Sequence, residues 1–200
     1  MMEEQDGVIK YECYWDDCDC IAPQEITELN YFRTKIWQSG WIGEDVNGIG
    51  YGNISTRQEA SKDGFIISGT QTGAHETLNI QQYSYVYNFN INKNVVFCKG
   101  KIKASSEALT HAAFYTIHTD IKAVTHIHNT NFWLKNLDIL PTTPHNIPYG
   151  TPQMAESVRF LYYSDSECIK IILMAGHEGG ILVFGDSLQD NFDTLCHFLT

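Results

Sequence analysis

Apolar positions recur along this chain with two different periods. In "PQEITELNYFRTKIWQSG" (23–40), Ile26, Leu29, Phe32, Ile36 and Trp37 keep helical spacing, and Gly40 supplies a stop. "WIGEDVNGIGYGNIS" is glycine-rich loop that leads into a short strand near 52–57. "GFIISGT" (64–70) reads as a buried strand ending at Ser68 and Gly69. In "YSYVYNFNI" the period is two: Tyr83, Tyr85, Tyr87, Phe89 and Ile91 alternate with Ser84, Val86, Asn88 and Asn90. "NKN" then turns the chain into "VVFCKG", which predicts a hairpin.

"SSEALTHAAFYTIHTD" predicts a helix with a serine as its N-cap. The apolar run of "AVTHIHN" predicts a strand ending in His126 and His128. Residues 129–152, rich in proline and turn formers, read as loop, and "PQMAESVRFLYY" as helix. "CIKIILMAGHEGGILVFG" gives two strands around a glycine-rich turn, and "DSLQDNFDTLCHFLT" a closing helix capped by Asp186. Residues 1–22 show no periodicity and read as an N-terminal extension to one α/β domain over 23–200. The hairpins predict a largely antiparallel sheet.

Charge narrows the function. The 200 residues carry 13 basic and 24 acidic side chains, a net −11. No basic stripe is present, which argues against nucleic acid as a partner. No apolar run approaches the roughly 20 residues of a membrane span. The acidic N-terminus lacks the apolar core of a signal peptide, so a cytoplasmic protein with six free thiols is expected. "CDC" at 18–20 fits no established zinc spacing.

Residues i and i+2 of a strand share a face, so His126 and His128 project side by side. His177 sits between glycines at a turn in "AGHEGG", where a third imidazole can approach the other two. Three histidines with an open fourth position form a catalytic metal pattern, zinc being the usual occupant. Glu107, in the first turn of its helix, reads either as a helix-dipole partner or as a base beside the metal. Ser105 and Ser106 offer hydroxyls and helix-terminal amides to an anion. His111 reads as a structural hydrogen-bond partner, and Glu178 as a solvated turn residue.

"GNIS" (52–55), "SGT" (68–70), "ASSE" (104–107), "THIH" (125–128) and "GHEGG" (176–180) stand in the order and spacing of the class II aldolase/adducin family, which the chain resembles over about 24–199. The resemblance implies a three-layer α/β/α sandwich around a mostly antiparallel sheet, assembled as a homotetramer. It implies a divalent metal, commonly zinc, on His126, His128 and His177, with Glu107 as acid/base. It places a substrate phosphate at Asn53, Ser68, Gly69, Ser105 and Ser106. Apart from the resemblance, Lys101 and Lys103 just before the serine pair read either as helpers or, more commonly for exposed lysines, as solvated side chains. The expected activity is retro-aldol cleavage of a small sugar or sugar-phosphate, the alternatives being a dehydratase, an epimerase or a non-catalytic adducin-like module. Four positions depart from the family pattern: Gly50 replaces the usual threonine and Tyr51 follows it, and Ala104 and Ile67 stand where prolines are usual. The family's tyrosine proton donor finds no match, and His145 and Tyr149 are candidates for its place.

Overall fold

The computed structural model describes residues 7–58, 64–164 and 169–199. Its chain order is β1 (Glu12–Asp17), α1 (Pro23–Gln38), β2 (Gly43–Glu44), β3 (Gly50–Tyr51), β4 (Asn53–Arg57), β5 (Phe65–Ser68), β6 (Tyr83–Asn90), β7 (Val95–Gly100), α2 (Ala108–Ile117), β8 (Ala123–His128), α3 (Thr130–Asn136), α4 (Pro152–Ser164), β9 (Ile171–Leu173), β10 (Gly180–Gly185) and α5 (Leu188–Leu199). An eight-stranded sheet runs β1-β7-β6-β5-β4-β8-β10-β9. Every pairing in it is antiparallel except β1 with β7. No helix among the described residues is long and apolar enough to cross a membrane.

Strand alternation divides the core into two layers. Phe65, Ile67, Val124, Leu182 and Phe184 face one side of the sheet and pack with Leu109, Ala113, Met154 and Val158 of α2 and α4. Ile54, Ile66, Ile127, Ile181 and Val183 face the other side and pack with Leu29, Phe32, Ile36 and Leu195 of α1 and α5. The result is the expected α/β/α sandwich. Helix α1 ends as its sequence predicts: Gly40 takes φ 75°, and the Gly40 and Trp41 amides donate to Trp37 and Ile36 carbonyls at 2.8 and 3.2 Å.

Four local expectations need correction. The extension carries a strand at Glu12–Asp17: β1 adds an edge strand, which lacks an alternating pattern because most of its side chains are exposed. Residues 129–152 contain α3, whose first turn is capped by Asn129 accepting from the Phe132 amide at 3.0 Å; at seven residues it is too short to show a period. The alternation of 83–91 breaks at a bulge between Val86 and Asn88, which turns Phe89 toward the α2 layer, away from the side of Tyr83 and Tyr85. Ser187, rather than Asp186, caps α5, its hydroxyl accepting from the Asp190 amide at 3.1 Å. Of the cysteines, the five described are free, with Cys13 and Cys98 sulfurs 3.7 Å apart, and Cys168 lies outside the described residues.

Arg33 of α1 is 1% exposed and ties down the segment after β5. Its guanidinium donates to the carbonyls of His75, Glu76, Thr72 and Gly73. Burial lowers its pKa to about 10, so it stays charged. Removing it leaves those carbonyls in a dry environment without their donor. Arg33→Met is expected to lower stability by about 3 kcal/mol, read as a drop in the urea midpoint; an unchanged midpoint would show that water replaces the guanidinium without cost.

Candidate functional site

The site forms where the α2 layer meets the ends of β4, β8 and the β9–β10 turn. On β8, Ala123 and Ile127 face the α1/α5 layer, so His126 and His128 face α2, side by side as their spacing requires. On β4, Asn53 pairs in register with His126. His177 closes the β9–β10 turn, its carbonyl accepting from the Gly180 amide at 2.9 Å. A Cβ at Gly180 would lie 2.5 Å from His177 Cδ2 and 3.2 Å from His126 Cε1, so glycine is needed for the imidazoles to converge.

The three Nε2 atoms converge: His126 to His128 is 3.1 Å, His128 to His177 is 2.9 Å and His177 to His126 is 3.3 Å. His126 Nδ1 lies 3.2 Å from the Ile181 carbonyl. A carbonyl only accepts, so the proton is on Nδ1 and the Nε2 lone pair faces the other histidines. Burial holds all three neutral: it brings His128 to about 4 and, with the neighbouring imidazoles, takes His126 and His177 well below the usual range. The Lys10 ammonium adds to the depression of His177. Among the described residues these histidines are the group of ligand-type side chains close enough to share one ion. A tetrahedral zinc with Zn–N bonds of about 2.0–2.1 Å spaces its nitrogens by roughly 3.3 Å, so the observed triangle fits one with slight opening.

Glu107 meets this triangle from α2. The helix begins at Ala108 and Glu107 itself occupies the N-cap position, where its carboxylate makes no capping bond. The expected serine cap is not at the helix start: Ser105 sits two residues upstream of the N-cap position and accepts from the Glu107 amide at 3.3 Å. The Glu107 carboxylate, 2% exposed, places Oε2 3.5 Å from His126 Nε2 and Oε1 3.6 Å from His177 Nε2. Four of the five expected anion-site residues, Asn53, Gly69, Ser105 and Ser106, line the same cavity. Asn53 Oδ1 is buried there with no hydrogen-bond partner among the described residues.

Ser68 stands outside that wall. It shares strand parity with Ile66, which faces the α1/α5 layer, and its hydroxyl accepts from the Ile54 amide at 3.2 Å. His111 is structural, as expected: fully buried, with Nδ1 2.7 Å from Ser55 Oγ. Glu178 is exposed, and Lys101 is committed to Asp17 at 3.0 Å and Asp19 at 3.5 Å. His145 is exposed and pairs with Asp138 at 3.2 Å, away from the cavity.

Aromatic rings complete the wall. Tyr149 is 1% exposed, with its ring 4.7 Å from that of His177. Tyr51 stacks on His128 at 4.9 Å. The role of Tyr51 was hidden in the sequence, although its position marks the break in the family pattern. Gly7 and Gln71 also line the cavity, and nothing local in the sequence distinguishes them.

A neutral three-histidine cluster with a carboxylate at its open side, set at one end of an α/β/α sandwich, defines the class: a candidate metal centre on an aldolase-like scaffold. Residues 35–198 match the family described as Class II Aldolase and Adducin N-terminal domain, and the chain belongs to it. A curated relative from Haemophilus influenzae, 3-oxo-tetronate 4-phosphate decarboxylase, is 29% identical over 164 residues, covering 72% of this chain and 71% of that protein. Among solved structures, L-fuculose 1-phosphate aldolase superimposes with TM-score 0.64 at 20% identity, over 86% of this chain and 80% of that one. The sugar-phosphate aldolase from Thermotoga maritima gives TM-score 0.58 at 14% identity, over 88% and 90%. Those two likenesses show the fold.

Proposed function

We propose that this chain is a metal-dependent lyase that cleaves a carbon–carbon bond next to a carbonyl in a small sugar or sugar-phosphate, by retro-aldol chemistry. The observation that carries the reading is the convergence of three neutral Nε2 lone pairs with the Glu107 carboxylate beside them. His126, His128 and His177 would hold a divalent ion, zinc by preference. When bound, that ion supplies positive charge against the negative charge developing on the substrate's carbonyl oxygen.

The protein's own residues supply the rest. Glu107 takes the hydroxyl proton of the bond being cleaved and returns a proton to carbon. Its N-cap position keeps the carboxylate at the mouth of α2, where the helix dipole favours its ionised form. Asn53, with an unfilled buried acceptor, receives a substrate hydroxyl. The amides and hydroxyls around Gly69, Ser105 and Ser106 receive an anionic group. Tyr51 and Tyr149 fix the imidazole planes by ring contact.

The Haemophilus relative is named for a decarboxylation, which also breaks a carbon–carbon bond beside a carbonyl and develops charge on the same oxygen. A lyase of either kind therefore uses the same residues. Elemental analysis of protein purified without chelator or added metal is expected to show about one divalent ion per chain. Loaded protein given ketose phosphates, their unphosphorylated counterparts and 3-oxo sugar acids should release an aldehyde from the first two sets or carbon dioxide from the third. Aldehyde release identifies the retro-aldol reaction, and carbon dioxide alone overturns it in favour of decarboxylation. Protein that refuses zinc, cobalt and manganese overturns the metal reading and points to a binding module on the adducin pattern. A homotetramer is proposed on the family's pattern alone.

A further inference from the structure

The described cavity wall contains no lysine or arginine, although the function proposed above puts an anion there beside Glu107. The lysines expected to help are elsewhere: Lys101 and Lys103 are exposed, and Lys101 is held by two aspartates. A cation does come against one of the wall residues, from the segment before β1. The Lys10 ammonium lies 3.7 Å from the centre of the Tyr149 ring, whose own ring contacts His177. Its stem passes close to Ser106: a Cβ at Gly150 would lie 3.9 Å from Lys10 Cδ and 2.9 Å from the Ser106 carbonyl. Lys10 therefore stands at the corner where the Ser105–Ser106 end of α2 meets Tyr149.

The segment is fixed on both sides of that residue. Tyr11 donates from its hydroxyl to the Ala104 and Ser105 carbonyls, each at 2.9 Å. Asn94 donates to the Lys10 carbonyl at 2.7 Å. The Val8 amide donates to the Tyr149 hydroxyl at 3.3 Å, and Thr70 donates to the Gly7 carbonyl at 3.1 Å. These bonds tie residues 7–11 to the loops that carry the serines, Gly69 and Tyr149. A charge held over an aromatic face and half-buried is less screened than a surface lysine. In a chain of net charge −11, it is the local attraction an anionic substrate needs.

We propose that Lys10 is a substrate-specificity residue that binds the anionic group, a phosphate or carboxylate, of the molecule whose cleavage is proposed above. Residues 7–17 lie outside the stretch 35–198 that matches the family, so this recognition is a feature of the chain's own N-terminal segment. The proposal rests on the functional reading for its choice of cavity, but anion binding can be measured without turnover.

The test is calorimetric titration of the full chain with inorganic phosphate and, separately, with glycolate. Wild type should bind at least one of them, and the one bound tells phosphate from carboxylate. Lys10→Met keeps the stem over Tyr149 and removes the charge; it is expected to bind that anion about tenfold more weakly. Lys10→Arg should retain binding, and both variants should hold wild-type amounts of zinc. Amide exchange across Glu12–Asp17 should stay slow in Lys10→Met, showing that β1 remains docked. Failure of wild type to bind either anion, equal binding by Lys10→Met, or an arginine variant as weak as the methionine one overturns the proposal. A zinc-free protein that still shows the Lys10 effect overturns the metal reading alone.

Discussion

Glu107→Gln is expected to keep the metal and lose the reaction. Glutamine has nearly the volume of glutamate, so the tight space between α2 and the three histidines stays filled. The carboxylate makes no capping bond, so the start of α2 loses no hydrogen bond in the glutamine variant, only the modest dipole interaction of the charge. The amide can neither take nor return a proton, and kcat should fall by about 10³-fold, within the range for loss of a positioned acid/base group. KM should change little, because Asn53 and the serine amides are untouched. The two readouts, metal content and kcat, separate the roles open to this residue. Full metal with lost turnover makes Glu107 the acid/base. Metal lost along with turnover makes it an obligatory fourth ligand, a role its 3.5 and 3.6 Å approach to His126 and His177 Nε2 also allows. Full metal with full turnover removes it from the mechanism.

The histidine pair was readable in the sequence because a strand has a period of two and both residues sit on one strand. Which face they took was decided elsewhere, by the partition of Val124 and Ile127 between two helical layers. The same rule sets Ser68 behind the wall. It shares parity with Ile66, so a residue carried over from a motif was placed by its backbone on the other side of the sheet. His177 was visible through its glycines, and the need for Gly180 appears only once His126 is known to stand beside it. Phe89 changed layers because of a bulge that leaves no mark in the alternation. The N-terminal strand was hidden for a different reason. An edge strand with exposed side chains needs only backbone partners, and β7, some eighty positions on, supplies them. Lys10 could not be linked to Tyr149 by any local pattern, since only the parallel docking of β1 and the hydrogen bonds around it bring the two together. Local period and turn chemistry were legible; long-range pairing was not.

His126→Ala is expected to empty the site. His126 is the least replaceable of the three histidines: it is 1% exposed, its Nδ1–H is used by the Ile181 carbonyl, and its Nε2 lies within 3.3 Å of both other ring nitrogens. Removing one of three nitrogen ligands leaves His128 at the end of β8 and His177 in the β9–β10 turn, with only the Glu107 carboxylate to complete a set. Affinity for zinc should fall by at least about 100-fold, more than the loss expected from an outer-shell partner alone. Protein purified without added metal should then contain almost none. Stability should fall less, because the space vacated adjoins a polar cavity that water can enter. The diagnostic comparison is His145→Ala. His145 lies in the same half of the chain and is an imidazole too, but it is exposed and paired with Asp138. It should retain full metal. Unchanged metal in His126→Ala, or equal loss in both variants, would mean that the triangle of nitrogens is a packing arrangement and that the ion, if any, binds elsewhere.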